Sequence, residues 1–174
     1  KLDDTNAHAA WMLYGRMVRR GEATAAVGAA LYRVLRAAPT DARARLAVAD
    51  LLLNQGEYAF AAQQYEAALL LATQTPGPAT IYRMVLSHTA AGNNDTALQL
   101  LSEYEQVLRA GDPEARLSMD LELLRMTVYS LLGDTTRTDA SYGRLRARLL
   151  REAEAGDAQA RVDLARLGAM VGRE

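Results

Sequence analysis

The stretch LLLNQGEYAFAAQQYEAALLLA, residues 51–72, carries the fold in its spacing. Gly56 separates two apolar runs, and the second run places Ala61 and Ala68 where a helix could have carried larger side chains. A glycine between two 3.6-period segments suits the left-handed residue that ends one helix before a tight turn. A small residue five positions later lets the two helices of a hairpin cross closely, where leucine would hold them apart. Ala68 is placed to do the same against the next hairpin.

The pattern recurs outward from this stretch. Glycines flanked by helix-like segments stand at Gly21, Gly56, Gly92, Gly133 and Gly172, with successive gaps of 35, 36, 41 and 39 residues. Ala26 and Ala97 follow Gly21 and Gly92 as Ala61 follows Gly56. A period in this range predicts stacked helical hairpins. Helix starts are expected at Thr40-Asp41, Asn94-Asp95, Asp112-Pro113 and Asp157, each a capping residue, the third with proline at the first helical position. The segment TPGPAT, residues 75–80, cannot be helical at its centre and reads as a loop. Strand signal is negligible, and no low-complexity linker divides the chain. The sequence therefore reads as a single all-α domain over residues 1–174, with repeats near 7–39, 41–75, 78–111 and 113–155 and a terminal helix over 157–171. A non-repetitive helical bundle is the competing architecture, disfavoured by the recurring Gly and Ala positions.

The residues at these positions resemble the tetratricopeptide repeat (TPR). The first helix reads Trp11-x2-Tyr14-Gly15-x2-Val18. The second hairpin supplies Val48, Ala49, Leu52, Gly56, Tyr58, Ala61, Tyr65 and Ala68, the third Met84, Val85, His88, Gly92, Ala97, Leu101 and Tyr104. The fourth has Met126, Tyr129, Gly133, Thr138, Tyr142 and Leu145, with Thr138 in the small position. The spacing from Gly92 onward exceeds the family's about 34 residues, and the closing proline is present only as Pro39. The resemblance implies a divergent, right-handed α-solenoid of four hairpins plus a terminal helix. Its role would be that of a protein–protein interaction scaffold whose first helices line a concave groove.

On that resemblance the groove positions are Met12, Arg16 and Arg19, then Arg43, Asp50, Leu53 and Asn54, then Tyr82, Arg83 and Leu86, and in the fourth repeat Leu123, Leu124 and Thr127. Four arginines against one aspartate favour an acidic or carboxylate-terminated peptide, held by charge-assisted hydrogen bonds. The leucines and Tyr82 would be apolar anchors. The alternative is that arginine is simply this chain's solvated cation, since 19 of its 20 basic residues are arginine. Chaperone-tail clamps of the family use Lys, Asn, Asn, Lys and Arg, in that order, at positions that here hold Met12, Arg16, Ala47, Ala79 and Arg83. Only Arg83 fits, so that specificity is not expected.

Other surfaces carry weaker signals. Arg137, Arg144, Arg148 and Arg151 form one stripe along a long helix, read as a solvated outer face. In the terminal helix Val162, Leu164, Leu167 and Met170 either cap the stack or join a second copy, and self-assembly through them without a peptide ligand is the alternative function. No enzyme is expected: there is no cysteine, no nucleophile-elbow or phosphate-loop motif, and only two histidines. His88 occupies a core-type position, and pairs such as Asp3-Asp4 and Glu103/Glu105 read as solvated surface. No metal or other cofactor is expected. A net charge of −1 gives no global argument for nucleic acid. No apolar run approaches the roughly 20 residues that span a bilayer. The start at Lys1 is that expected of a fragment or processed form. Arginine and alanine usage points to a GC-rich bacterial genome, and the resemblance implies help in assembling an envelope complex, periplasmic or envelope-associated ahead of cytoplasmic.

Overall fold

The computed structural model describes residues 4–112 and 117–171. The described residues are all-helical, in nine helices: α1 Asp4–Arg19, α2 Thr24–Ala37, α3 Ala42–Asn54, α4 Tyr58–Leu71, α5 Pro78–Ala90, α6 Asn94–Gly111, α7 Met119–Leu131, α8 Thr135–Glu154 and α9 Ala158–Val171. Packing divides them into two compact units, one through Gly92 and one from Asn93. In the first, α1 packs on α2, α2 on α3, α3 on α4 and α4 on α5; in the second, α6 packs on α7, α7 on α8 and α8 on α9. Within each unit every helix packs against its sequence neighbour, as in an α-solenoid.

Local chemistry sets the helix ends. At α3 the Asp41 carboxylate accepts the amides of Arg43 at 2.8 Å and Ala44 at 3.4 Å. Asp157 accepts those of Gln159 at 2.8 Å and Ala160 at 3.3 Å to open α9. Gly77 precedes α5 and Pro78 enters its first turn, so the expected loop over 75–80 ends three residues early. Pro's missing N–H and fixed φ suit that position. Asp112 closes α6, and α7 opens behind Ser118; the start expected at Asp112-Pro113 falls partly on residues outside those described.

Gly56 shows why the recurring glycines are needed. Its φ is +81°, and the amides of Gly56 and Glu57 donate to the carbonyls of Leu53 and Leu52 at 3.1 and 2.9 Å. The last carbonyls of α3 are thus satisfied by a chain that has already reversed. A Cβ here would meet open space, so dihedral freedom, not room, selects glycine. Gly21, Gly92 and Gly133 share the positive φ as expected, and Gly172 lies outside the described residues. A fifth left-handed glycine, Gly156 at φ +99°, joins α8 to α9 and was not in the expected series.

Ala61, Ala68 and Ala97 are buried as the spacing requires. In α4, Ala61 and Ala68 share the interior with Tyr65, between α3 on one side and α5 on the other. In the second unit α7, α8 and α9 close on one apolar cluster of Leu123, Met126, Leu145, Leu149, Ala160 and Leu167. Leu167 is 1% exposed and Leu164, partly buried, packs against the cluster. Val162 is the exposed member of that set at 53%, and the Met170 side chain lies outside those described. α9 packs inward because its Leu167 stripe is the nearest cover for α7 and α8.

Candidate functional site

The expected groove positions of the first unit fall on α1, α3 and α5, and the structure sorts them into paired and unpaired charges. Asp50 lies at the centre. It accepts the Tyr65 hydroxyl from α4 and, at 2.9 Å, an Nη1 hydrogen of Arg83 from α5. Burial pushes the Tyr65 phenol up, and the hydrogen bond to Asp50 and its charge add to this, while Arg83 pulls the other way. Tyr65 therefore stays a neutral donor, and Asp50 with Arg83 ties α3, α4 and α5 together. Arg45 adds a second tie, donating to Gln64 Oε1 at 3.1 Å and to the Pro39 carbonyl at 3.1 Å.

A second constellation joins α1 to α3. The Trp11 indole donates to Asp41 Oδ2 at 3.1 Å, and the Arg43 guanidinium stands 6.0 Å from the Trp11 ring and 3.7 Å from Asp41. Burial alone would raise the Asp41 carboxyl, but the Trp11 hydrogen bond, the Arg43 and Ala44 amides and the Arg43 charge together hold it below the usual carboxylate range. Trp11 also meets Tyr14 edge-on at 5.5 Å between ring centres. Asp41 is thus both helix cap and anchor for Trp11, and the Arg43 side chain stands beside this corner, 82% exposed.

What remains open to a ligand is narrower than the sequence implied. Arg16 and Arg19 are exposed, and among the described residues neither has an ion-pair or hydrogen-bond partner for its guanidinium. Met12 and Leu13, on the same helix, are exposed at 46% and 42%. Asn54 is exposed, and Leu53, Tyr82 and Leu86 are half-buried. In the second unit Leu123 and Leu124 are buried and serve the core, not a ligand; Thr127 is half-buried and hydrogen-bonds back to the Leu123 carbonyl.

Two features escaped the sequence. Phe60 and Leu70 of the largely apolar helix α4 are exposed at 58% and 88%. The arginine stripe of α8 is not one uniform solvated face. Arg137 turns to Asp134 at 3.1 Å and to the Tyr129 ring, while Arg144, Arg148 and Arg151 line a cavity with residues of α6 and α7. Glu105, expected at the solvated surface, sits in that cavity wall, accepting from Arg125 and Arg109. Arg125 reaches Glu105 from 20 positions away on another helix, where periodicity carries no information.

His88 is 3% exposed, as its core-type position implied. Its Nε2 lies 3.3 Å from Glu66 without hydrogen-bond geometry. Burial lowers the imidazole pKa, and the Glu66 charge opposes this. Among the described residues no three His, Asp or Glu side chains are grouped to hold a metal, and no helix is long and apolar enough to cross a membrane.

No family model matches the sequence, and no curated protein does. Among solved structures the chain is similar to a thermophilic TPR protein of Thermus thermophilus. The likeness has a TM-score of 0.57 at 21% identity and covers 96% of this chain and 84% of that one. It shows a TPR-like helical-repeat fold.

Proposed function

We propose that the protein is an interaction scaffold whose first unit holds an acidic or carboxylate-terminated segment of a partner protein. The segment would lie along α1, α3 and α5. The observation that carries this reading is the pair Arg16 and Arg19, exposed and without a charge partner among the described residues, beside the exposed apolar Met12 and Leu13. Cation and apolar anchor on one helix are what a carboxylate-bearing chain with alternating side chains needs. Arg83 and Asp50 have a different part in this reading. Their mutual ion pair fixes α5 on α3 and presents Tyr82, Leu86 and Asn54 in a set geometry, so that the receptor loses little freedom on binding. Arg43 contributes through Trp11, as the rigid edge of the same surface. Assembly of an envelope complex is the setting that the TPR resemblance implies for such a scaffold.

The test is an array of short peptides with free C-terminal carboxylates and graded acidic content, probed with the wild-type chain and with an Arg16→Glu/Arg19→Glu variant. Each guanidinium–carboxylate contact is worth about 1.5–3 kcal/mol, so the double reversal removes at least roughly tenfold in affinity per contact. Acidic peptides that bind the variant as well as the wild type would refute the assignment.

A further inference from the structure

The second unit carries a cationic cavity of its own, of about 810 Å³, bounded by α6, α7 and α8. Five arginines and three glutamates line it. Their pairing is unequal. On the α6–α7 side Arg125 donates to Glu105 at 2.9 Å and to Glu122, and Arg109 shares Glu105, so two cations and two anions cancel in a half-buried network. On the α8 side the cations are left over. Among the described residues Arg144 donates only to the Ser141 hydroxyl, at 3.1 Å. Arg148 lies 3.8 Å from Glu152, and its buried Nε has no hydrogen-bond partner among the described residues. Arg151 is exposed with no carboxylate partner among the described residues. Three guanidinium groups thus share one loosely held glutamate.

We infer that this cavity is a second binding site, independent of the first unit, that takes an extended acidic segment of a partner protein. Three considerations select that occupant. Arg144, Arg148 and Arg151 succeed one another by four and three residues on one side of α8, which spreads their Cα atoms over about 10 Å of helix. In an extended chain alternate side chains point the same way about 6.6–7 Å apart, so two acidic residues spaced by two fall within that span. The surplus of two positive charges matches two carboxylates, whereas a nucleic acid brings one phosphate per nucleotide against Glu105, Glu122 and Glu152 as well. The cavity also offers no aromatic ring on which a base could stack. Leu145 and Ala147 supply apolar contact between the charged ends.

The experiment uses the full chain and a fluorescent peptide alternating glutamate and serine, read by anisotropy, with an oligonucleotide and inorganic pyrophosphate as the other probes. It is run in the Arg16→Glu/Arg19→Glu background, so that residual binding reports the second unit. Peptide binding is expected to persist there and to weaken at least roughly tenfold when Arg144→Glu/Arg151→Glu is added. Both residues are exposed, and Arg144→Gln/Arg151→Gln gives a milder version should the reversal disturb folding. No peptide binding in that background, or binding indifferent to either α8 variant, overturns the inference. So does an oligonucleotide that outcompetes the peptide, or pyrophosphate that displaces it at equal charge, since the cavity would then select phosphate. Equal binding by the wild type and the Arg16→Glu/Arg19→Glu variant would sink the first-unit assignment while leaving this one standing.

Discussion

Leu167→Ala separates a terminal helix that caps the fold from one that joins a second copy. Leu167 is 1% exposed and shares a cluster with Leu123 and Met126 of α7 and Leu145 and Leu149 of α8. Truncation removes three carbons, about 2.4 kcal/mol of transfer free energy at ~0.8 kcal/mol for each. The cavity left behind raises the cost of such changes to about 2.7–5 kcal/mol. Met126 borders the space, and its flexible thioether can relax into part of it, so the lower end applies, about 3 kcal/mol. In a unit of this size that lowers the melting temperature by about 12–24 °C. Val162→Ala, on the exposed side of the same helix, should stay within about 0.5 kcal/mol. Urea unfolding followed by circular dichroism, with molar mass from light scattering on the native variants, measures both. A Leu167→Ala chain that keeps its midpoint but drops in molar mass would refute the inward packing, because the leucine would then face another molecule.

Two further outcomes follow from the first unit. Ala61→Leu adds three carbons at a position with no exposure, between α3 and α5, and should cost about 1–3 kcal/mol; a neutral or stabilising result would mean that the helix crossing does not depend on a small residue there. His88 has its pKa lowered by burial, so the unfolded chain binds the proton more readily than the fold does. Its contribution is therefore complete above the ordinary value of 6.5 and is lost as pH falls through 6.5 toward the lowered folded value. Urea midpoints should decline across that window in the wild type, decline more in Glu66→Gln, and lose this component in His88→Leu; equal slopes in all three would remove His88 as the cause.

The helical architecture was legible because its determinants are local. The backbone at Gly56 must reverse within two residues, and only glycine does this without strain, so the sequence has to show the turn at that point. Ala61 is similar, since a close crossing excludes every larger residue. The reading slipped at Gly156, where the turn interrupts a run of charge and alanine between Arg151 and Gln159 with no apolar periodicity to frame it. It slipped again at the α5 boundary, where proline, usually a breaker, opens the helix.

The candidate sites were half legible, and the division falls at tertiary pairing. That Arg16, Arg83, Arg144 and Arg151 lie on particular faces follows from the 3.6-residue period. Which of them is already neutralised does not. Arg83 meets its anion 33 positions away and Asp50 its hydroxyl 15 away, whereas Arg16 finds none among the described residues. The same holds on α8, where Arg137 has Asp134 three residues before it and is satisfied within its own turn, while Arg144 and Arg151 face a cavity whose Glu105 and Glu122 are claimed by Arg109 and Arg125. A ligand carboxylate gains little from an arginine that must first give up a partner, and much from one that has none. Binding in this protein should therefore follow the unpaired arginines of α1 and α8, and not the total number of arginines on a face.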